Sequence, residues 1–181
     1  MVEIVQQGHK VLREIAKEVP VSEIKKEKIQ NILKDMKEAL NSQDDGVAIA
    51  APQIAVSLRI FIVSGRIFDH DFIRGDKESM DKKSKKQTHA DMVFINPVFI
   101  KMSKDKKLLH EGCLSVRPIY GKVRRATRAT IKAYDENGKE FTKSGTDLLA
   151  HIFQHETDHL DGILFIDKAR DTYESKPEDT K

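Results

Sequence analysis

One cysteine in 181 residues leaves no partner for an intrachain disulfide. The chain is therefore not a disulfide scaffold, and a reducing compartment is expected. No apolar run approaches the ~18 residues that a membrane helix needs. The opening stretch, MVEIVQQGHKVLREIAKEV, mixes acids and bases too early for a signal or transit peptide. A soluble, cytoplasmic protein is predicted, with no membrane partner. Neither sign of charge dominates, since 32 basic and 29 acidic residues give a net charge of +3. That balance does not fit a DNA-binding protein. With 39% hydrophobic and 34% charged residues the composition also excludes collagen and wholesale disorder.

What is present reads as a single catalytic domain over residues 1–181, long enough to bury roughly two-thirds of its unfolded surface. No internal repeat appears. Over residues 22–43 the apolar positions Ile24, Ile29, Ile32, Leu33, Met36, Ala39 and Leu40 predict one amphipathic helix, N-capped by Ser22. Residues 46–53 break that rhythm and read as loop or extended chain. Residues 58–63 read as a buried strand. Residues 65–91 form a charged excursion from the sheet. A strand resumes at 92–100 and is interrupted at Asn96-Pro97, where the missing donor calls for an edge, bulge or bend. Residues 123–134 and 139–142 flank Asn137-Gly138, a hairpin signal. A second helix is predicted over 146–160, with Leu148, Leu149, Ile152 and Phe153 on one stripe and Gly162 just past its end. A short strand at 163–166 and a frayed polar tail over 170–181 complete the chain. The basic runs Lys82, Lys83, Lys85, Lys86 and Lys101, Lys104, Lys106, Lys107 read as solvated loops. The fold class is α+β, with antiparallel or mixed sheets packed around a C-terminal helix.

That helix carries His155-Glu156-Thr157-Asp158-His159. Histidines four apart share one helix face, so both can reach one metal ion. Glu156 then stands where its carboxylate can meet water at that ion. The third ligand separates the alternatives. A protease with a third His six residues after the second would need it where Phe165 stands. A protease using a later glutamate would need Glu174 or Glu178, both in the polar tail. The soft ligand that remains is Cys113, within Glu111-Gly112-Cys113-Leu114-Ser115. A thiolate and two imidazoles leave a fourth tetrahedral position open, as catalytic sites do. Gly112 allows close backbone approach. Glu111 reads as a structural salt-bridge partner, and His151 as pocket wall or surface.

These residues resemble the peptide deformylases. Glu111 to Ser115 matches the family's Glu-Gly-Cys-Leu-Ser in full. Gln154 to His159 matches its Gln-His-Glu-x-x-His in full. Gly46-Val47-Ala48-Ile49-Ala50-Ala51-Pro52-Gln53 is similar to a third motif, with Ala48 where the family has glycine. The likeness runs from about residue 8 to residue 167, the charged excursion excepted. The resemblance implies a hydrolase that removes the N-formyl group from the N-terminal methionine of new proteins. It implies one divalent ion per chain on Cys113, His155 and His159, with Fe(II) native and Zn(II), Ni(II) or Co(II) as other occupants. Glu156 is the implied general base, and the Gln53 amide and the Leu114 backbone N–H the implied oxyanion donors. Gly46, Val47, Ala48, Gly112, Leu148 and Ile152 are the expected substrate contacts. The partners expected are N-formyl-Met nascent peptides and the ribosome, and the chain is expected to be a monomer. A same-fold hydrolase with another acyl or amide substrate is the first alternative, motivated by Ala48. A non-catalytic ribosome- or peptide-binding relative is the second.

Overall fold

The structure, a computed structural model, describes residues 2–69 and 89–174. The Lys82–Lys86 run, most of the charged excursion and residues 175–181 lie outside the described residues.

Helix α1 (Glu27–Asn41) buries Ile29, Leu33, Met36, Ala39 and Leu40 as one stripe. It starts later than the pattern predicted. Residues Val21–Glu23 form a separate 3-10 turn, and Lys26 rather than Ser22 occupies the N-cap. The reason is visible in the spacing. From Ile24 to Ile29 is a step of five, which no single helix face accommodates.

The stripe of α1 packs on a five-stranded antiparallel sheet of order β1-β2-β3-β6-β7. Its strands are β1 (Ala48–Ala50), β2 (Ile60–Val63), β3 (Met92–Met102), β6 (Arg128–Tyr134) and β7 (Glu140–Thr146). Alternation along β2 explains its unbroken apolar run. Ile60 and Ile62 face the α1 side, whereas Phe61 and Val63 face helix α2 (Asp147–Leu160). All four are fully buried between two helical layers. On the α2 side the rings of Phe61, Phe94 and Phe153 pack together, with Phe61 and Phe94 stacked at 4.6 Å and Phe94 edge-on to Phe153 at 5.2 Å. Such buried rings contribute about 1.5–3 kcal/mol each.

At Asn96-Pro97 the β3–β6 register shifts, as the proline required. Asn96 adopts φ 50°. Its side chain accepts from Val19 N at 2.8 Å and donates to Val19 O at 2.7 Å, which ties the N-terminal segment to the bulge. The Asn137-Gly138 hairpin joins β6 to β7, with Gly138 at φ 74°.

A second sheet, β4-β5-β8, consists of β4 (Lys106–Gly112), β5 (Ile119–Ala126) and β8 (Arg170–Glu174). It corrects four expectations. The 123–134 stretch is two strands in two sheets, parted at Thr127. Lys106 and Lys107 stand in β4, as Lys101 stands in β3, and not in loops. Residues 163–166 hold no strand; a 3-10 turn spans Phe165–Asp167, its start fixed by Leu164 N donating to Asp167 Oδ2 at 2.9 Å. The start of the polar tail is ordered as β8, paired to β5 through its backbone.

Helix α2 ends as its sequence predicted. Gly162 adopts φ 72°, and a Cβ there would lie 2.8 Å from the backbone of Arg13. Two independent constraints thus require glycine at this turn.

Candidate metal centre and its cleft

Helix α2 places His155 and His159 one turn apart, with ring centroids separated by 5.0 Å. Strand β4 runs toward them and delivers Glu111, Gly112 and then Cys113. Cys113 Sγ lies 3.2 Å from His159 Nε2. One ligand atom from each of Cys113, His155 and His159 fits within 4.8 Å of the others. The three side chains are 42 residues or more apart in sequence between sulfur and rings, yet the two layers bring them to one point.

A divalent cation fits this donor set. A soft thiolate with two imidazoles binds Fe, Zn, Ni or Co and leaves one tetrahedral position free. Glu156 is buried beside it, and its Oε2 has no hydrogen-bond partner among the described residues. A buried, unpartnered carboxylate oxygen is costly unless something in the site uses it. Burial pushes Glu156 up to about 7, partly offset by the adjacent His155 charge. Burial, with the His155 charge, also holds His159 well below its ordinary value. A neutral ring keeps the lone pair that a ligand needs.

Glu111 orients the site from behind. Its Oε2 lies 2.9 Å from His155 Nδ1, so Nε2 is left to face the sulfur. Arg125 Nε and Nη2 donate to its two oxygens at 2.6 and 3.0 Å. His151 Nε2 approaches Oε1 at 2.7 Å. Burial alone would raise the Glu111 carboxyl, but bonds from His151, His155 and Arg125 outweigh it and hold it well below the usual carboxylate range. Arg125 Nη1 also binds Asp158 at 2.6 Å, and Lys168 binds the other Asp158 oxygen at 2.6 Å. The salt-bridge role expected of Glu111 is present. Arg125, Asp158 and Lys168 are the residues that sequence reasoning missed. Asp158 lies inside the histidine motif, and its charge on a ligand-bearing helix was the available signal.

The remaining predicted residues line one cleft, which Cys113 and His155 also border. Gly46, Val47 and Ala48 form one rim, entering β1. Gly112 and Leu114 lie on the other. Leu148 and Ile152 rise from α2, Leu148 half-exposed and Ile152 buried. Gln53 is buried, its Oε1 accepting from Ala50 N at 2.8 Å and its Nε2 lying 3.1 Å from Ser115 Oγ and 3.5 Å from Cys113 Sγ. Its amide is thereby aimed at the ligand cluster. Gly112 has a further reason to be glycine: a Cβ there would sit 2.5 Å from the Tyr120 ring. Tyr120 in turn stacks on Tyr173 of β8 at 6.0 Å. Across the cleft mouth Arg117 pairs with Asp45 at 2.5 Å.

The sequence matches the family model described as polypeptide deformylase over residues 1–175. A peptide deformylase of Fusobacterium nucleatum is 41% identical over 161 residues, covering 89% of this chain and 79% of that protein. Among solved structures, a peptide deformylase from Legionella pneumophila superposes with a TM-score of 0.75 at 35% identity, covering 94% of this chain and 87% of that one. A Met-Ala-Ser-bound class I type b peptide deformylase from Acinetobacter baumannii gives 0.77 at 27% identity, covering 93% and 98%. Family match, fold and a site suited to a divalent ion agree: the chain belongs to the polypeptide deformylase family, metal-dependent enzymes that remove the N-formyl group from nascent peptides.

Proposed function

We propose that this chain carries out deformylation in the cleft just described, as one catalytic domain, with Cys113, His155 and His159 holding a single divalent ion, Fe(II) in the native protein. The observation that supports the reading is the convergence of one sulfur and two ring nitrogens beside a buried carboxylate whose Oε2 has no partner among the described residues. When bound, the ion supplies a Lewis acid that lowers the pKa of water from 15.7 to about 7. Glu156 takes the water proton and passes it to the departing amine. A positioned acid–base group of this kind contributes about 10²–10⁴ in rate. The Gln53 Nε2–H and the Leu114 backbone N–H stabilise the negative oxygen that develops on the formyl carbon, each such donor contributing roughly 3 kcal/mol.

The methionine side chain lies against Leu148 and Ile152, between the rims of the cleft. The peptide that follows pairs with the 46–48 rim as an added strand. Main-chain pairing is indifferent to the sequence after methionine, which suits an enzyme that meets many nascent chains. The Met-Ala-Ser ligand of the Acinetobacter relative is the same class of peptide. The protein acts in the cytoplasm, as a monomer, on chains emerging from the ribosome. Formate release from formyl-Met peptides, measured anaerobically with iron or with nickel, tests the reading. Stoichiometric metal without formate would overturn it.

A further inference from the structure

Glu111 is gripped symmetrically. Each of its oxygens has one guanidinium nitrogen and one imidazole nitrogen close by: Oε1 accepts from Arg125 Nε and has His151 Nε2 at an ion-pair distance of 2.7 Å, and Oε2 accepts from Arg125 Nη2 and is hydrogen-bonded to His155 Nδ1. The two imidazoles stand one turn apart on α2. His155 is a ligand in the reading above, whereas His151 has had no function beyond lining the cleft. We infer that His151 is a positioning residue: it holds Oε1 of Glu111, so that the carboxylate stays turned to accept from His155 Nδ1 and His155 Nε2 stays aimed at the Cys113 sulfur.

Three observations support this. His151 is mostly buried, at 14% side-chain exposure, where a polar ring needs a partner. Its contact with Glu111, at 2.7 Å, is as short as the guanidinium contacts. Arg125 reaches the carboxylate from β5 and His151 reaches it from α2, so Glu111 is held from two elements at once. Removing partners that orient a ligating histidine typically costs 10–100-fold in metal affinity or activity.

The inference rests on the metal reading, so the two are tested separately in one experiment. Wild-type protein is loaded with Co(II), and its thiolate-to-cobalt absorption and its rate of cobalt release to excess chelator are recorded. Absence of a thiolate band in wild type would remove the metal reading and this inference with it. His151→Leu is expected to release cobalt about 10–100-fold faster, with a shifted band. His151→Gln, whose amide can donate to the same oxygen, is expected to restore most of the loss. Wild-type release and an unchanged band in His151→Leu would overturn the inference, even if KM for peptide rose, because His151 would then be cleft wall alone. If the leucine variant does not fold, long-range ¹H–¹⁵N correlations of the zinc-loaded wild type decide. A proton on His151 Nε2 is required, and an unprotonated Nε2 overturns the assignment.

Discussion

Arg125 and Glu111 form a buried, two-pronged ion pair between neighbouring strands of the smaller sheet, with side-chain exposures of 4% and 1%. The pair bears on both stability and chemistry, because Glu111 also carries His155. Removing the guanidinium strands a buried carboxylate. Arg125→Met is therefore expected to lose about 3–5 kcal/mol of stability, the usual cost of breaking one side of a buried pair. Urea unfolding of metal-free protein checks this. A loss below ~1 kcal/mol would mean that His151 and His155 suffice to hold Glu111.

Metal retention and turnover should separate between Cys113 and Glu156. Glu156→Ala keeps all three ligand atoms and is expected to retain one ion per chain, while formate release falls about 10²–10⁴-fold. Cys113→Ala leaves two imidazoles and is expected to lose the ion. Metal analysis after gel filtration, run beside a formate assay, distinguishes the two. Full turnover in Glu156→Ala would remove the proposed base.

How much of this was legible depended on whether a residue's role is local. The α2 helix was readable to within a residue, since Leu149, Ile152 and Phe153 repeat at helical steps and Gly162 closes it. Asn137-Gly138 announced its hairpin through local turn chemistry. Strands β4 and β8 were not legible. In β4, Lys106 and Lys107 are exposed, and where burial alternates, from Leu108 to Gly112, the buried residue is the charged Glu111 and not an apolar one; every residue of β8 is exposed. Both are fixed by backbone pairing, which leaves little trace in side chains. The candidate ligands Cys113, His155 and His159, which the fold brings together, were nameable from residue type and spacing. Arg125 was not, because its meaning comes from Glu111 on the adjacent strand, a relation that exists only once β4 and β5 pair.

Gly112 links the second sheet to the cleft. An added methyl would meet Tyr120 Cε1 and Cδ1 at 2.5 and 2.8 Å, so the ring must move. Tyr120 is backed by Tyr173, which limits where it can go. Gly112→Ala is expected to cost about 1–3 kcal/mol, as overpacking does. Adding Tyr120→Ala should return most of that loss. Thermal melts of the single and double variants check it; equal melting temperatures for Gly112→Ala and wild type would show that the ring swings aside freely.

Ala48 puts a methyl where the resemblance has glycine, a substitution that can strain the backbone or crowd the cleft. The backbone shows no strain: Ala48 lies in β1 paired with Val63 and is absent from the positive-φ residues Ala55, Asn96, Asp147 and Asp171. The residue is 5% exposed and belongs to the apolar cluster containing Phe61 and Ile152. The side chain thus fills core as well as bordering the cleft. Ala48→Gly is expected to lower stability by about 0.5–1 kcal/mol through backbone freedom. Formate release from formyl-Met peptides should stay within about threefold of wild type, less than ~0.7 kcal/mol in the barrier. A gain of tenfold or more would mean that the methyl crowds the peptide, and that the wild-type cleft is shaped for a different acyl group. Parallel kcat/KM values for formyl and acetyl peptides would then show which, since acetyl needs one more methyl's room beside Glu156 and Gln53.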